Sequence, residues 1–196
     1  MQKEKQKICN VPNALTLLRL LLIPLYWVLM MGHNDEKAAL SVFVAASLTD
    51  LLDGYIARKY DLITDFGKLF DPLADKLMVL SVLLTLVIKG IAPLAVMVIL
   101  LIKELIMMIG GYLMLRRKVV VYSRAIGKIA QFVIVLALLA CFARAYFPSF
   151  PLHLAMLWLG VALTIAALIY YTQACLTAVK DRQFEAPDAK ETENAE

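Results

Sequence analysis

Six long apolar stretches, at about residues 14–31, 38–58, 68–88, 92–115, 127–147 and 151–178, take up most of this 196-residue chain. Each is close to the roughly 20 residues a helix needs to cross the hydrocarbon core of a bilayer. Lipid offers no hydrogen bonds, so every backbone N–H and C=O in such a stretch has to be paired within it, and an α-helix is the solution for a single segment. The sequence therefore predicts an all-α fold: a polytopic membrane protein, a bundle of six transmembrane helices preceded by a short N-terminal interfacial segment. The composition agrees, at 62% hydrophobic residues and a mean hydropathy of +0.76, well above a soluble domain. One membrane domain over residues 1–180 accounts for this length, and residues 181–196, charged and containing Pro187, read as a disordered tail. The first apolar run has no small-residue cleavage site and reads as a span, not a removed signal.

Charge placement gives the orientation. Lys and Arg gather at the N-terminus, on alternate connections and at the C-terminus, while the remaining connections hold only Lys37, Lys89 and Arg144. Both termini are then expected in the cytoplasm. A net charge of +4, clustered in this way, suits anionic headgroups or phosphorylated substrates and not nucleic acid. Cys9, Cys141 and Cys175 are odd in number and lack metal-ligand spacing, so they are expected to be reduced and structural.

Against this apolar background one stretch stands apart. It reads Asp50-Leu-Leu-Asp53-Gly54-Tyr-Ile-Ala57-Arg58, eight residues, then Gly67-Lys-Leu-Phe-Asp71-Pro-Leu-Ala-Asp75. A carboxylate at membrane depth costs several kcal/mol unless it is neutralised. Asp50 and Asp53 are three residues apart and Asp71 and Asp75 four apart, so each pair lies on one helical face. The short link between the two spans makes them antiparallel neighbours, and the pairs converge. Oxygen-only ligands select hard cations such as Mg²⁺ or Mn²⁺, and four carboxylates can hold two, the arrangement used for in-line attack at phosphorus. Gly54 and Ala57 form a narrow strip beside them, and Arg58 adds a fork suited to phosphate. The combination points to a nucleotide diphosphate.

Taken singly, each element has a plainer meaning. Asp-Gly signals a turn, Arg58-Lys59 a helix-end anchor, and Asp71-Pro72 an N-cap followed by proline at the first helical position. Asp61 and Asp65 read as solvated turn residues. Near the N-terminus, Asn13, Thr16 and Arg19 recur every three residues behind Pro12, close to one helical face. That face is either an interfacial anchor with a snorkelling arginine or a surface that meets a substrate headgroup.

The run from Asp50 to Asp75 resembles the defining motif of the CDP-alcohol phosphotransferase family at every fixed position. The resemblance extends from Pro12-Asn13 through the six spans, more loosely in the last third. The segments Asn10-Val-Pro-Asn13-x-x-Thr16-x-x-Arg19 and Phe70-Asp71-Pro72-Leu-Ala-Asp75-Lys76 look most like the bacterial phosphatidylglycerophosphate synthase and cardiolipin synthase branches. The resemblance implies transfer of a phosphatidyl group from CDP-diacylglycerol to an alcohol with release of CMP, by a homodimer in the bacterial cytoplasmic membrane, and the charge pattern puts Arg58, Gly67 and the four aspartates at the cytoplasmic end of the second and third spans. It implies that Asp50, Asp53, Asp71 and Asp75 bind two divalent ions, with Asp75 also the general base. Gly54, Ala57, Arg58, Thr64 and Gly67 would line the cytidine diphosphate site, closed by Asn13 and Thr16.

Two segments depart from the phosphatidylglycerophosphate synthase pattern. This chain has Lys103-Glu104 where those enzymes usually carry Arg-Glu, and Gly127-Lys128-Ile129-Ala130-Gln131 in place of a Gly-Lys-x-Lys-Thr run. Lysine holds a phosphate as a point charge without the bidentate fork. Glycerol 3-phosphate is the expected acceptor, with phosphatidylglycerol and inositol phosphate as alternatives. Arg124 and Lys128, and Lys103 within the fourth span, are its candidate ligands, each weighed against an ordinary anchor or, for Lys103, an ion pair across the bundle. A cation or proton-coupled transporter is the reading from a different class. It predicts related halves and discontinuous helices, and the sequence carries no convincing internal repeat.

Overall fold

The structure is a computed structural model that describes residues 11–59, 65–116, 125–146 and 151–193, with backbone alone at 11–13, 50–59, 65–69 and 178–193 among others. Apart from short turns, the described residues are helical. Helices α1 (Val11–Trp27), α2 (Glu36–Lys59), α3 (Asp65–Ile88), α4 (Leu94–Arg116), α5 (Ala125–Phe142) and α6 (Leu152–Glu193) coincide with the six apolar runs. Three of them contain segments long and apolar enough to cross a membrane: Ala14–Gly32, Leu94–Met114 and Leu152–Thr177. Ile126–Phe142 is equally apolar but shorter. Helical backbone in α6 continues to Glu193, beyond residue 180, where the sequence reading ends the ordered domain. Glu, Lys, Gln and Ala dominate that extension, and all four favour helix.

Within the region expected to form a single membrane domain, the chain divides into two compact units, Met1–Pro93 with Cys141–Pro148 and Leu94–Ala140 with Ser149–Glu196. In the first, α1 packs along both α2 and α3. Its core contains Tyr26 and Met30 from the α1 end, Phe43 and Ala46 from α2, and Met78, Val82, Leu83 and Leu86 from α3. The link from α1 to α2 is built from backbone chemistry. A single π turn, Val28–Gly32, lets His33 N–H reach Val28 O at 3.0 Å. Asn34 then turns the chain in the left-handed region at φ 55°, which asparagine tolerates better than most side chains. Asp35 caps α2 by accepting from Lys37 N–H at 3.1 Å and Ala38 N–H at 3.0 Å, so two orphan amide donors at the helix start are satisfied.

At the far end of α3, Gly90 (φ +70°) closes the helix. Its N–H bonds Val87 O at 2.9 Å, and Ile91 N–H bonds Leu86 O at 2.8 Å. This paired pattern is the Schellman ending, which needs glycine because a Cβ there strains the backbone. Pro93 follows and prevents the helix from resuming.

In the second unit α4 packs on α6, and the outer side of α4 leaves Ile102, Leu105, Met108, Ile109 and Tyr112 exposed. In a soluble protein such a face would demand a partner; on a helix of this length and hydropathy it suits contact with lipid. Gly160 lies so close to Ile134 that a Cβ added there would stand 2.5 Å from its Cδ1, and Gly110 faces the Tyr171 ring. Near the end of α4 the Arg116 guanidinium sits 5.3 Å from the Tyr112 ring centre, an arrangement suited to an interface where water meets lipid.

Two of the three basic residues expected on the sparsely charged side meet one carboxylate in the first unit. Arg144 Nη1 and Nη2 donate to Glu36 Oε2 at 3.0 Å and Oε1 at 2.9 Å, and Nη1 also donates to Cys141 O at 3.0 Å. Lys89 Nζ lies 3.7 Å from Glu36 Oε1 and bonds Asn34 Oδ1. The start of α2, the end of α3 and the turn after α5 are thereby tied at one point. The Arg144 fork is the main reason the Glu36 carboxyl is held below the ordinary glutamate range. A lowered acid contributes its full stabilisation above the ordinary glutamate pKa and loses it as pH falls through the folded-state value. Arg144→Ala is expected to lower the unfolding free energy by about 1 kcal/mol at neutral pH, the scale of a partly exposed bidentate pair. Thermal unfolding in detergent from pH 7 down to pH 3 should show the gap between variant and wild type closing as Glu36 protonates, and a gap independent of pH would remove the pair from this role.

Candidate active site

The α1 segment from Val11 to Trp27 carries just two buried polar side chains among its described residues that bear on charge or hydrogen bonding near its start, Thr16 and Arg19. Three residues apart, they share one face of the helix. That face lies against α3, where Asp71 and Asp75 are four apart and also share a face. Thr16 Oγ1 donates to Asp71 Oδ1, and Arg19 Nη1 lies 2.6 Å from Asp75 Oδ1. Farther along, the Tyr26 and Thr85 hydroxyls meet at 2.7 Å, and Thr85 also donates to Val82 O. Residue numbers rise together on both helices through these three contacts, so α1 and α3 run parallel, in register through a polar seam.

Arg19 is the residue whose sequence reading changes most. A snorkelling anchor keeps its guanidinium in water, yet this side chain is 1% exposed and ion-paired. A guanidinium removed from water needs an anion beside it, since a buried pair that loses one partner is destabilised by about 3–5 kcal/mol. The signal was in the sequence: an arginine three residues from Thr16 inside an apolar run demands an anion at the same depth, and the third span offers Asp75. The N-cap reading of Asp71 is also corrected. Helix α3 starts at Asp65, so Pro72 falls in its interior, where it removes one backbone hydrogen bond instead of starting the helix.

The remaining site residues are distributed as follows. Asp50, Asp53, Gly54, Ala57 and Arg58 lie on the last part of α2, and Asn13 and Gly67 near the starts of α1 and α3; their side chains fall outside the described residues. Thr64 and Arg124 lie outside the described residues altogether. Lys128, in the first turn of α5, is exposed. Lys103 Nζ pairs with Glu104 Oε1 at 2.6 Å, both side chains about one-fifth exposed. The partner expected across the bundle is instead the next residue on the same helix. Neighbours in sequence do not face each other on a helix, but at apolar depth the flexible lysine stem reaches the nearest oxygen.

The described donor set fits a hard divalent cation. Asp71 and Asp75 present carboxylate oxygens from one helical face, with a hydroxyl and a guanidinium fixing one oxygen of each from α1. Neither thiolate nor imidazole is among them, which disfavours zinc and the softer metals. Among the described residues there is no group of three or more His, Cys, Asp or Glu side chains close enough to hold a metal. Thr16→Val keeps the volume and removes the hydroxyl that Asp71 accepts from, so it is expected to cost about 1 kcal/mol. Thr16→Ser should recover most of this, as read by thermal unfolding midpoints in detergent; equal midpoints for Thr16→Val and wild type would make that hydrogen bond inconsequential.

Comparison with known proteins gives this geometry a family. The sequence model of the CDP-alcohol phosphatidyltransferase family matches residues 9–166. A Bacillus subtilis protein named CDP-diacylglycerol--glycerol-3-phosphate 3-phosphatidyltransferase is 38% identical over 176 residues, 81% of this chain and 91% of its own length. A Mycobacterium tuberculosis protein named probable phosphatidylglycerophosphate synthase is 32% identical over 182 residues, 90% of this chain and 85% of its own. A Rickettsia typhi protein with the same name as the Bacillus one reaches 53% over a shorter stretch of 72 residues, 36% of this chain and 40% of its own. With a match across most of its length and a fold of long apolar helices, this chain belongs to the CDP-alcohol phosphatidyltransferase family of membrane enzymes.

Proposed function

We propose that this protein transfers the phosphatidyl group of CDP-diacylglycerol to the hydroxyl of glycerol 3-phosphate, giving phosphatidylglycerol phosphate and CMP. The observation that carries the reading is that relatives named for this activity align along nearly the whole chain, across the complete run from Asp50 to Asp75. The chain crosses the membrane six times as a homodimer, termini in the cytoplasm, and the site opens at the cytoplasmic surface. That position suits the substrates: the donor's acyl chains stay in lipid while its headgroup meets a soluble acceptor.

Asp50, Asp53, Asp71 and Asp75 would hold two divalent ions, Mg²⁺ or Mn²⁺, which supply charge neutralisation at the diphosphate and at the departing CMP. The chain's own residues do the rest. Asn13, Thr16, Gly54, Ala57, Thr64 and Gly67 shape a slot for cytidine and ribose, and Arg58 holds a phosphate by its fork. Asp75 accepts the acceptor's hydroxyl proton as the new P–O bond forms and the bond to CMP breaks. Lys128, exposed at the start of α5, and Arg124 attract the acceptor phosphate. Lys103, engaged by Glu104, contributes charge at greater depth.

Purified protein is expected to release CMP from CDP-diacylglycerol only with a divalent ion and an alcohol, fastest with glycerol 3-phosphate in a panel that includes phosphatidylglycerol, inositol phosphate and serine. Absence of acceptor-dependent CMP release across the panel would favour a transporter. Asp75→Asn should lower kcat by ~10²-fold or more while donor affinity changes less. Arg58→Ala should weaken donor binding, with Arg58→Lys restoring it only in part. Lys128→Ala should raise the acceptor KM much more than the donor KM, and equal increases would take Lys128 out of the acceptor pocket.

A further inference from the structure

One guanidinium, that of Arg144, both finishes α5 and fastens its end to α2. Helix α5 belongs to the second unit up to Ala140, and from Cys141 the chain belongs to the first. Two kinds of contact seat that stretch. Cys141 and Phe142 are buried, at 0% and 8% exposure, but apolar burial beside a bilayer is a loose hold, since lipid receives such side chains almost as well as protein does. The second hold is directional. Arg144, in the 3₁₀ turn Ala143–Tyr146, gives Nη1 to Cys141 O at 3.0 Å, in the last turn of α5 where intrahelical partners run out. Its fork closes on both oxygens of Glu36, at 3.0 and 2.9 Å. Both side chains stay about one-third exposed, so water and protons reach the pair while the helices remain packed.

We infer that the Glu36–Arg144 pair is an acid-released clasp: while Glu36 is ionised it keeps Cys141 and the end of α5 buried, and neutralising it lets this stretch open locally while the rest of the chain stays folded. The groups around Glu36 fix the sign. Arg144 faces it from the turn after α5, and Lys89 from the end of α3 at 3.7 Å. Asp35 and Lys37 flank it in sequence. The Tyr26 phenol on α1 feels its charge, and a phenol is uncharged throughout the acid range. The Arg144 fork above all, with Lys89, keeps Glu36 ionised below the ordinary glutamate range. The clasp is therefore fully closed above the ordinary glutamate pKa and released as pH falls through the lower folded-state value. Once protonated, Glu36 no longer draws the fork by charge, and Lys89 and Arg144 are left as like charges with no anion between them. Both effects favour opening.

Cys141 can report the opening, because a fully buried thiol reacts only when its surroundings open, and its rate then follows the open fraction. Cys175, buried in the second unit, reports global unfolding in the same sample. The full chain carrying Cys9→Ser is placed in lipid nanodiscs and labelled with dithiodipyridine. Each rate is divided by that of chain denatured in dodecyl sulfate and urea at the same pH, which removes the titration of the thiol itself. At pH 7 Glu36→Gln is expected to label Cys141 about 5-fold faster than the parent, with Cys175 at the parent rate. Arg144→Lys, which keeps the charge and loses the fork, should fall between the two. Lys89→Met removes the cation that does not hold the turn and should leave Cys141 within about 2-fold of the parent. Between pH 7 and pH 3 the parent rate should climb to meet that of Glu36→Gln, Asp35 titrating alike in both. Labelling of Cys141 no faster in Glu36→Gln than in the parent overturns the proposal. So does equal acceleration of Cys175, which would make the opening global, or equal acceleration in Lys89→Met, which would make it a general loosening of that end. If Glu36→Gln does not fold, Arg144→Lys decides: faster labelling at Cys141 alone supports the clasp, and parent rates remove it.

Discussion

A guanidinium sunk in an apolar helix face cannot stay without an anion, and that requirement organises the first unit. Arg19 has to lie beside a carboxylate at its own depth, and Asp75 supplies it. Once that pair is set, the three-residue step back to Thr16 and the four-residue step back to Asp71 bring the second pair together. The Tyr26 and Thr85 hydroxyls extend the same register toward the other end of the helices. In lipid, apolar contact alone says little about which helix faces which, since a leucine is as content against an acyl chain as against another leucine. Polar contacts of this kind are what make one arrangement better than its rotated alternatives.

The two ends of this unit are treated differently. Around Glu36 the Arg144 fork and Lys89 converge on one carboxylate, next to the Asp35 cap that starts α2. Around Asp75 the carboxylate remains a third exposed while its partner is enclosed. One end is built to hold, the other to leave an anionic surface reachable.

Much of this was legible in the sequence, for a physical reason. Long apolar runs can satisfy their backbones only as helices, so the existence and approximate bounds of all six followed from hydropathy. The Asp35 cap and the Gly90 ending follow rules of local backbone chemistry as well. What the sequence left open depended on the path of the chain. Arg19 had two readings, a snorkelling anchor and part of a face that meets a substrate headgroup, and its pairing with Asp75 depends on what lies opposite, which the sequence does not state. Asp71-Pro72 has the pattern of a helix start, yet α3 starts at Asp65, six residues before Asp71. Lys103 had two readings, an acceptor ligand or an ion pair across the bundle, and the structure pairs it with Glu104 on its own helix, a contact within the reach of its flexible stem. The family was legible from the Asp50 to Asp75 run, while the side-chain geometry around Asp50 and Asp53 lies outside the described residues.

The parallel pairing of α1 with α3 also has a consequence for how the chain is made. Asp75 follows Arg19 by 75 − 19 = 56 positions, and at synthesis rates of about 5–20 residues per second the arginine precedes its counterion by roughly 3–11 seconds. During that interval α1 holds a cation whose placement at the centre of a lone membrane helix costs about 2.5–3.5 kcal/mol. Arg19 lies near the start of the apolar segment, so the newly emerged helix can wait with that end at the headgroups and settle only when α3 arrives. Docking of the first helix is thus tied to completion of the third, and a chain truncated before Asp75 would leave α1 without the contact that seats it.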